Sequence, residues 1–324
     1  MQCENCHGSG VAHVANPGDE SVRPTVNLAA TLCGSCHTDA HHPTFDEWQL
    51  SKHAVALPTL QANTHATDEC LQCHSLDYRY AVEQQAAGGG DDEIPTLATA
   101  QLSLDCATCH DPHGGTNQAA QLHAPVATLC GECHTQGPDT LPGNTPHHPQ
   151  LEVLTGTGAF NADDTALALP FDHSHTSLVG AAGDGEACGR CHVVRHEVEE
   201  PNEGNPNVTG HTFNPFDESI SAHQADQYTG CAPCHDAAGA AARRTSLQSD
   251  IEGRLAGQAP FFDAASASYL DPAALSEADQ TKLATAKFNW QFVSADGSRG
   301  VHNPSYARAA LDVVDGILTD LQTP

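Results

Sequence analysis

Hydrophobic and polar positions change their pattern near residue 235. Before it, apolar residues come in short groups interrupted by Gly, Pro and polar side chains, which predicts single turns of helix and irregular connections. Residues 44–55 are the clearest early element: they predict a short helix carrying His53 on one face, with Trp48 a turn or so away. Gln84 to Pro95, rich in glycine and acid, predicts a linker or exposed loop, and the acidic run Glu197 to Asn207 predicts a solvated one. After His235 the pattern is helical. Asp271-Pro272 and Asn303-Pro304 each combine a capping side chain with a first-turn proline. Tyr306, Ala310, Val313, Val314, Ile317 and Leu321 share one stripe, which predicts core packing, with a subunit contact as the lesser alternative. No run approaches the roughly 20 apolar residues of a membrane span.

Composition weakens the case for an ordinary core. Phe, Trp and Tyr make up 5% of the chain, and 27 Gly with 20 Pro favour turns. The charge is 12 − 41 = −29, which argues against nucleic acid and anionic lipid as partners; a solubilising acidic surface is the plainer reading.

The 14 cysteines change the picture. All fall in one string, two cysteines three apart with histidine next: Cys3, Cys6, His7; Cys33, Cys36, His37; Cys70, Cys73, His74; Cys106, Cys109, His110; Cys130, Cys133, His134; Cys188, Cys191, His192; Cys231, Cys234, His235. Two thiols on one turn can each form a thioether to a haem vinyl group, leaving the next residue under the iron as proximal ligand. Zinc sites and redox dithiols also use paired cysteines but do not require the histidine. Each string therefore reads as one covalent haem c, seven in all. At 324 residues for seven haems, about 46 each, the chain is mostly a wrapping for cofactors. The expected fold is mostly irregular with short α-helices and very little β, a multihaem cytochrome c wrapped around a closely packed haem chain.

Ala30 to Thr38 is nearly copied by Ala127 to Thr135, and His41-His42-Pro43 by His147-His148-Pro149. These repeats predict a first triple-haem unit over 1–82, a second over 83–210, and a seventh haem with a helical segment over 211–324, together one continuous haem-packed body.

The sixth iron position separates a wire from an enzyme. Methionine is excluded almost everywhere by composition, since the chain has one, Met1, and Lys52, Lys282 and Lys287 follow no cysteine pair. Histidine has 22 − 7 = 15 copies to spare, which favours closed, low-potential bis-histidine haems.

The segments around His13, His53, His113, His148, His175, His211 and His302 resemble distal-histidine motifs of exported multihaem c-type cytochromes of metal-respiring bacteria and archaea. Examples are Trp48-x-x-Ser51-x-His53, Cys-His-Asp-Pro-His113-Gly and Gly300-Val-His302-Asn-Pro. That resemblance implies these seven as second ligands, with His42, His65, His147 and His223 as substitutes. His41, His123, His173 and His196 read as solvated or structural. It also implies a non-enzymatic electron carrier, extracellular or at the cell surface, passing electrons to other redox proteins or extracellular acceptors. Members of the family polymerise into filaments, so a homo-oligomer through terminal haems is the favoured version and a discrete periplasmic carrier the alternative. A nitrogen or sulfur oxidoreductase with one open haem is weaker, because the lysine ligand of such nitrite reductases is missing and the acidic surface repels anions. A structural or metal-storage role for the histidines is weaker still. No signal peptide precedes Cys3, so an export signal is expected to have been removed or to lie outside this sequence.

Overall fold

The computed structural model describes residues 2–88, 93–116, 118–136, 144–169, 175, 188–215, 229–231 and 234–322. His173, His223 and residues 89–92 of the glycine-rich run lie outside the described residues. Among those described there is no strand, only isolated bridges such as His110 to Leu122 and His196 to Val208. Helix and irregular chain make the fold, as the pattern predicts. The chain forms two compact units, residues 1–124 with 189–230 and residues 125–188 with 231–324.

The first unit contains α1 (Ala30–Gly34), α2 (Thr44–Leu50) and α3 (Leu76–Ala86). The predicted helix over 44–55 stops at Leu50, because Ser51 takes extended backbone (φ −80°, ψ 159°). His53 therefore sits in the turn before the next helix, Ala56–Gln61, and not on a helix face. In the opposite sense, α3 runs through Ala86 into the predicted loop, started by the Ser75 hydroxyl accepting from Tyr78 N–H.

Apolar burial here is modest, centred on Leu57, Leu60, Leu71 and Ala100. Acidic side chains supply what the small core lacks. Glu47 is 5% exposed and accepts from Thr209 N–H (2.8 Å), Thr209 hydroxyl (2.7 Å) and His211 N–H (2.7 Å). Asp105, also buried, accepts from Ala30 N–H at the start of α1 (2.8 Å), and burial raises its pKa. Asp77 accepts from Gln101 N–H at 2.8 Å. Hydrogen bonds to charged acceptors are each worth about 1.5–3 kcal/mol, so a few such carboxylates organise chain that has no ladder partner.

The second unit contains α4 (Val126–Gly131), α5 (Gln150–Thr155), α6 (Ala237–Gln258), α7 (Glu277–Asp296) and α8 (Pro304–Gln322). Contrary to the expectation from composition, this unit has a conventional apolar core. Phe288, Phe292, Tyr306, Leu311 and Val314 are at most 1% exposed and pack with Val153 and Ala159. Several of the chain's few aromatic residues pack together here, with Phe160 and Phe288 in edge contact at 5.3 Å. The stripe on α8 faces this core: Tyr306, Ala310, Val314 and Ile317 are buried, with Val313 and Leu321 packed beside them. Asn303 caps α8 as predicted, accepting from Tyr306 N–H at 3.1 Å. Asp271 also caps as predicted, accepting from Ala273 N–H at 2.9 Å with Pro272 in the first turn, but the element is only a 3-10 turn, Pro272–Ala274, which Leu275 breaks by extending (φ −98°, ψ 157°). Ser276 then caps the long helix α7 through Asp279 N–H.

The sequence repeat has a physical counterpart in each unit. In the first, Phe45 N–H donates to His37 C=O (2.8 Å) and Asp46 receives the Thr38 hydroxyl (2.9 Å). In the second, Leu151 N–H donates to His134 C=O (3.0 Å) and Glu152 receives the Thr135 hydroxyl and, at 3.3 Å, Gln136 N–H. Each haem motif is thus tied to the helix that follows its His-His-Pro segment. A glycine permits the approach in both cases, since a Cβ on Gly34 would meet the Phe45 ring at 2.5 Å and one on Gly131 would meet Leu151 at 3.1 Å.

Candidate haem-ligating sites

Each cysteine pair sits on one turn. Histidine N–H donates to the C=O of the first cysteine at 2.9 Å in Cys33–His37, 3.0 Å in Cys106–His110, 2.9 Å in Cys130–His134 and 2.8 Å in Cys231–His235. Cys3–His7 is itself a single helical turn. This i to i+4 closure sets both thiols and the imidazole on the same short stretch of surface, which two thioethers and one axial bond require. The turns also come in couples. Cys33 lies beside Cys106, and in the other unit Cys188 lies beside Cys130.

Four of the proximal rings have an acceptor behind them. Nδ1 lies 2.9 Å from Thr25 C=O in His7, 2.8 Å from Ala120 C=O in His110 and 2.8 Å from Phe213 C=O in His192. His134 Nδ1 instead faces Gln150 Oε1 at 3.4 Å. A carbonyl at Nδ1 holds the proton there and leaves Nε2 as the basic nitrogen, the tautomer that binds a metal.

Three of the histidines singled out as second ligands stand about 6 Å from these rings, His113 and His211 at small interplanar angles and His148 at a steep one. His113 stands 5.9 Å from His7, ring centroid to centroid, with planes 5° apart. His211 stands 6.2 Å from His110 at 28°. A metal to imidazole-nitrogen bond of about 2 Å on either side puts two ligand rings with centroids about 6 Å apart, so each pair fits one metal ion. Local structure fixes both partners. Asp111 accepts from His113 N–H (2.9 Å) and Gly115 N–H (2.6 Å), closing the loop that carries His113. His211 is held by Glu47 through its N–H and lies 3.0 Å from the Thr209 hydroxyl through Nδ1. Burial, then the neighbouring His110, pushes His211 down to about 4, so it is neutral and able to ligate at ordinary pH.

The other candidates are placed less uniformly. His148 stands 5.9 Å from His134 with planes at 75°, in the left-handed region (φ 53°), and 4.0 Å from His147. His175 Nδ1 lies 2.7 Å from Val301 C=O, and His302 Nδ1 lies 2.5 Å from Asp296 Oδ1. Burial lowers and Asp296 raises the pKa of His302, and Asp296 prevails. His53 packs edge-on against Phe213 at 4.5 Å, and His13 Nδ1 is shielded from solvent. His123 points elsewhere, its Nε2 3.0 Å from Ala107 C=O. Gln150, Asp296, Glu47 and Asp111 escaped the sequence reading. Asp111 had a signal, standing between two candidate histidines, and Asp296 stands only six residues before His302; Gln150 and Glu47 act across 16 and 164 positions. No helix among the described residues is long and apolar enough to cross a membrane.

Residues 100–138, which hold the fourth and fifth motifs, match the family model described as a doubled CXXCH motif. Among solved structures the chain is similar to the outer cell wall cytochrome OcwA, at 24% identity and TM-score 0.73, covering 98% of this chain and 70% of that one. It is similar also to an undecahaem cytochrome from the S-layer of Carboxydothermus ferrireducens, at 26% identity and TM-score 0.68, covering 99% of this chain and 50% of that one. The cytochrome c nitrite reductase of Desulfovibrio desulfuricans shares the fold more distantly, at 14% identity and TM-score 0.52 over 83% of this chain and 70% of that one. No curated protein matches in sequence.

Proposed function

We propose that this multihaem c-type cytochrome carries electrons in series along seven bis-histidine haems, at or beyond the cell surface, and can polymerise through its terminal haems. The observation that carries the reading is the facing of His7 by His113, with His110 and His211 repeating it. Each haem supplies a one-electron Fe(III)/Fe(II) couple when bound. The chain's own part is to hold and orient. Fourteen cysteines would anchor the seven groups, the carbonyls behind His7, His110 and His192 set the tautomer of those rings, and a second histidine at each group would close it to substrate.

His13, His53, His113, His148, His175, His211 and His302 serve as the second ligands in this reading. The corresponding turns at Cys33 and Cys130 are the repeated part of two triple-haem units, 1–82 and 83–210, with the seventh haem in 211–324. The outer cell wall and S-layer relatives support a surface location and acceptors outside the cell, reached directly or through other redox proteins. The function is transfer and not catalysis; likeness to the nitrite reductase extends to fold.

The test is spectroscopic. Mass and pyridine haemochrome analysis of the purified protein is expected to give seven haems, all six-coordinate and low-spin, unchanged by cyanide or nitrite. A high-spin haem that takes up nitrite overturns the carrier reading. Electron microscopy decides polymerisation, since uniformly small particles are incompatible with a filament.

A further inference from the structure

The turn that follows α7 delivers His302 by an unusual route. Gly297 ends the helix in the left-handed region (φ 72°), and Gly300 (φ 87°) brings the backbone so close to α6 that a Cβ there would meet Ile251 at 3.0 Å. Between them, Asp296 folds back on the turn. Its carboxylate is 1% exposed and contacts His302 Nδ1 through Oδ1 at 2.5 Å. Oδ2 accepts from Ser298 N–H at 3.3 Å and from the Ser298 hydroxyl, whose oxygen accepts in turn from His302 N–H at 3.2 Å. The Asp296 C=O accepts from Gln150 Nε2 at 3.2 Å, and Gln150 Oε1 is the atom behind His134.

Neutral groups stand at Nδ1 of other described rings: main-chain carbonyls at His7, His110, His192 and His175, a hydroxyl at His211, a carboxamide at His134. We propose that Asp296 is a positioning residue that sets the potential of one haem, making the iron bound by His302 harder to reduce than the irons whose ligands lean on carbonyls. The proposal rests on the reading of His302 as an iron ligand.

A carboxylate at Nδ1 draws the ring proton towards itself and raises the electron density at Nε2. A more basic ligand stabilises Fe(III) over Fe(II) and so lowers the potential. Burial keeps water from screening the negative charge. A purely structural cap needs one oxygen for Ser298, whereas here the second oxygen is aimed at the imidazole.

Three variants of the haem-loaded protein test this. His302→Ala is expected to convert one low-spin haem to high-spin, identifying the site. Asp296→Asn keeps the shape and removes the charge. At a fixed electrode potential it should raise the reduced-to-oxidised ratio of one haem at least tenfold, about 59 mV for a one-electron couple, with haem count and spin state unchanged. Ser298→Ala removes the hydroxyl donor from Oδ2 while the main-chain N–H stays, leaves more charge facing the ring, and should lower the same ratio. If His302→Ala leaves every haem low-spin, or if it acts as expected while neither Asp296→Asn nor Ser298→Ala moves a potential, the proposal is overturned and the carrier reading stands. If the unsubstituted protein holds no low-spin haem, both fall.

Discussion

The imidazoles of His7 and His113 lie 5.9 Å apart and within 5° of parallel. Removing one partner is a direct test. His113→Ala is expected to leave seven attached haems but make one five-coordinate and high-spin, with cyanide now binding to that haem alone. An absorption and EPR spectrum with all haems still low-spin refutes the pairing.

Glu47 should matter to stability more than its place on a short helix implies. Glu47→Ala leaves Thr209 N–H, the Thr209 hydroxyl and His211 N–H without their acceptor in a buried setting, at a cost of about 3 kcal/mol. Denaturant unfolding measures that loss. Because His211 is released as well, a fraction of high-spin haem should appear before global unfolding. Glu47→Gln, which keeps one oxygen acceptor, should lose less.

Tyr306 ties the helical core to the loop ahead of it, accepting from Ala159 N–H at 2.9 Å and donating to Leu167 C=O at 3.2 Å. Tyr306→Phe should cost about 1–3 kcal/mol, the usual price of a buried group left unsatisfied, read by thermal unfolding.

Alkaline pH should act on the same residue. Burial pushes the Tyr306 phenol up to about 12, the bond from Ala159 opposing. A group whose pKa is raised by folding contributes stability that is complete below its unfolded value near 10 and is lost as pH rises through the folded one. Helical signal in far-ultraviolet circular dichroism is expected to weaken between about pH 10 and 12, with the Phe variant lacking this component.

Gly34 and Gly131 occupy corresponding positions but should respond unequally to alanine. A Cβ on Gly34 meets the Phe45 ring at 2.5 Å, whereas on Gly131 it meets the flexible end of Leu151 at 3.1 Å. Gly34→Ala should cost about 1–3 kcal/mol and Gly131→Ala clearly less, measured as the difference in unfolding midpoints.

How far the chain was legible depended on the range of the interaction. The Cys33 to His37 turn, the Asn303 cap and the stripe on α8 depend on residues within a few positions of each other, and the sequence displays them directly. The helix over 44–55 was overextended because nothing in its pattern announces that Ser51 turns to extended backbone. The apolar core of the second unit was hidden by averaging: a low aromatic fraction over the whole chain conceals the gathering of Phe160, Phe288, Phe292 and Tyr306.

By itself, the sequence determined the haem-motif count and the helical character of the end of the chain, since each follows from residue type and short spacing. Only the tertiary structure decided which histidines face one another and what stands behind them. His113 meets His7 across 106 positions (113 − 7), and Glu47 holds His211 across 164. Bringing such residues together depends on how turns and buried carboxylates fold long stretches of chain, and no local period in the sequence encodes that.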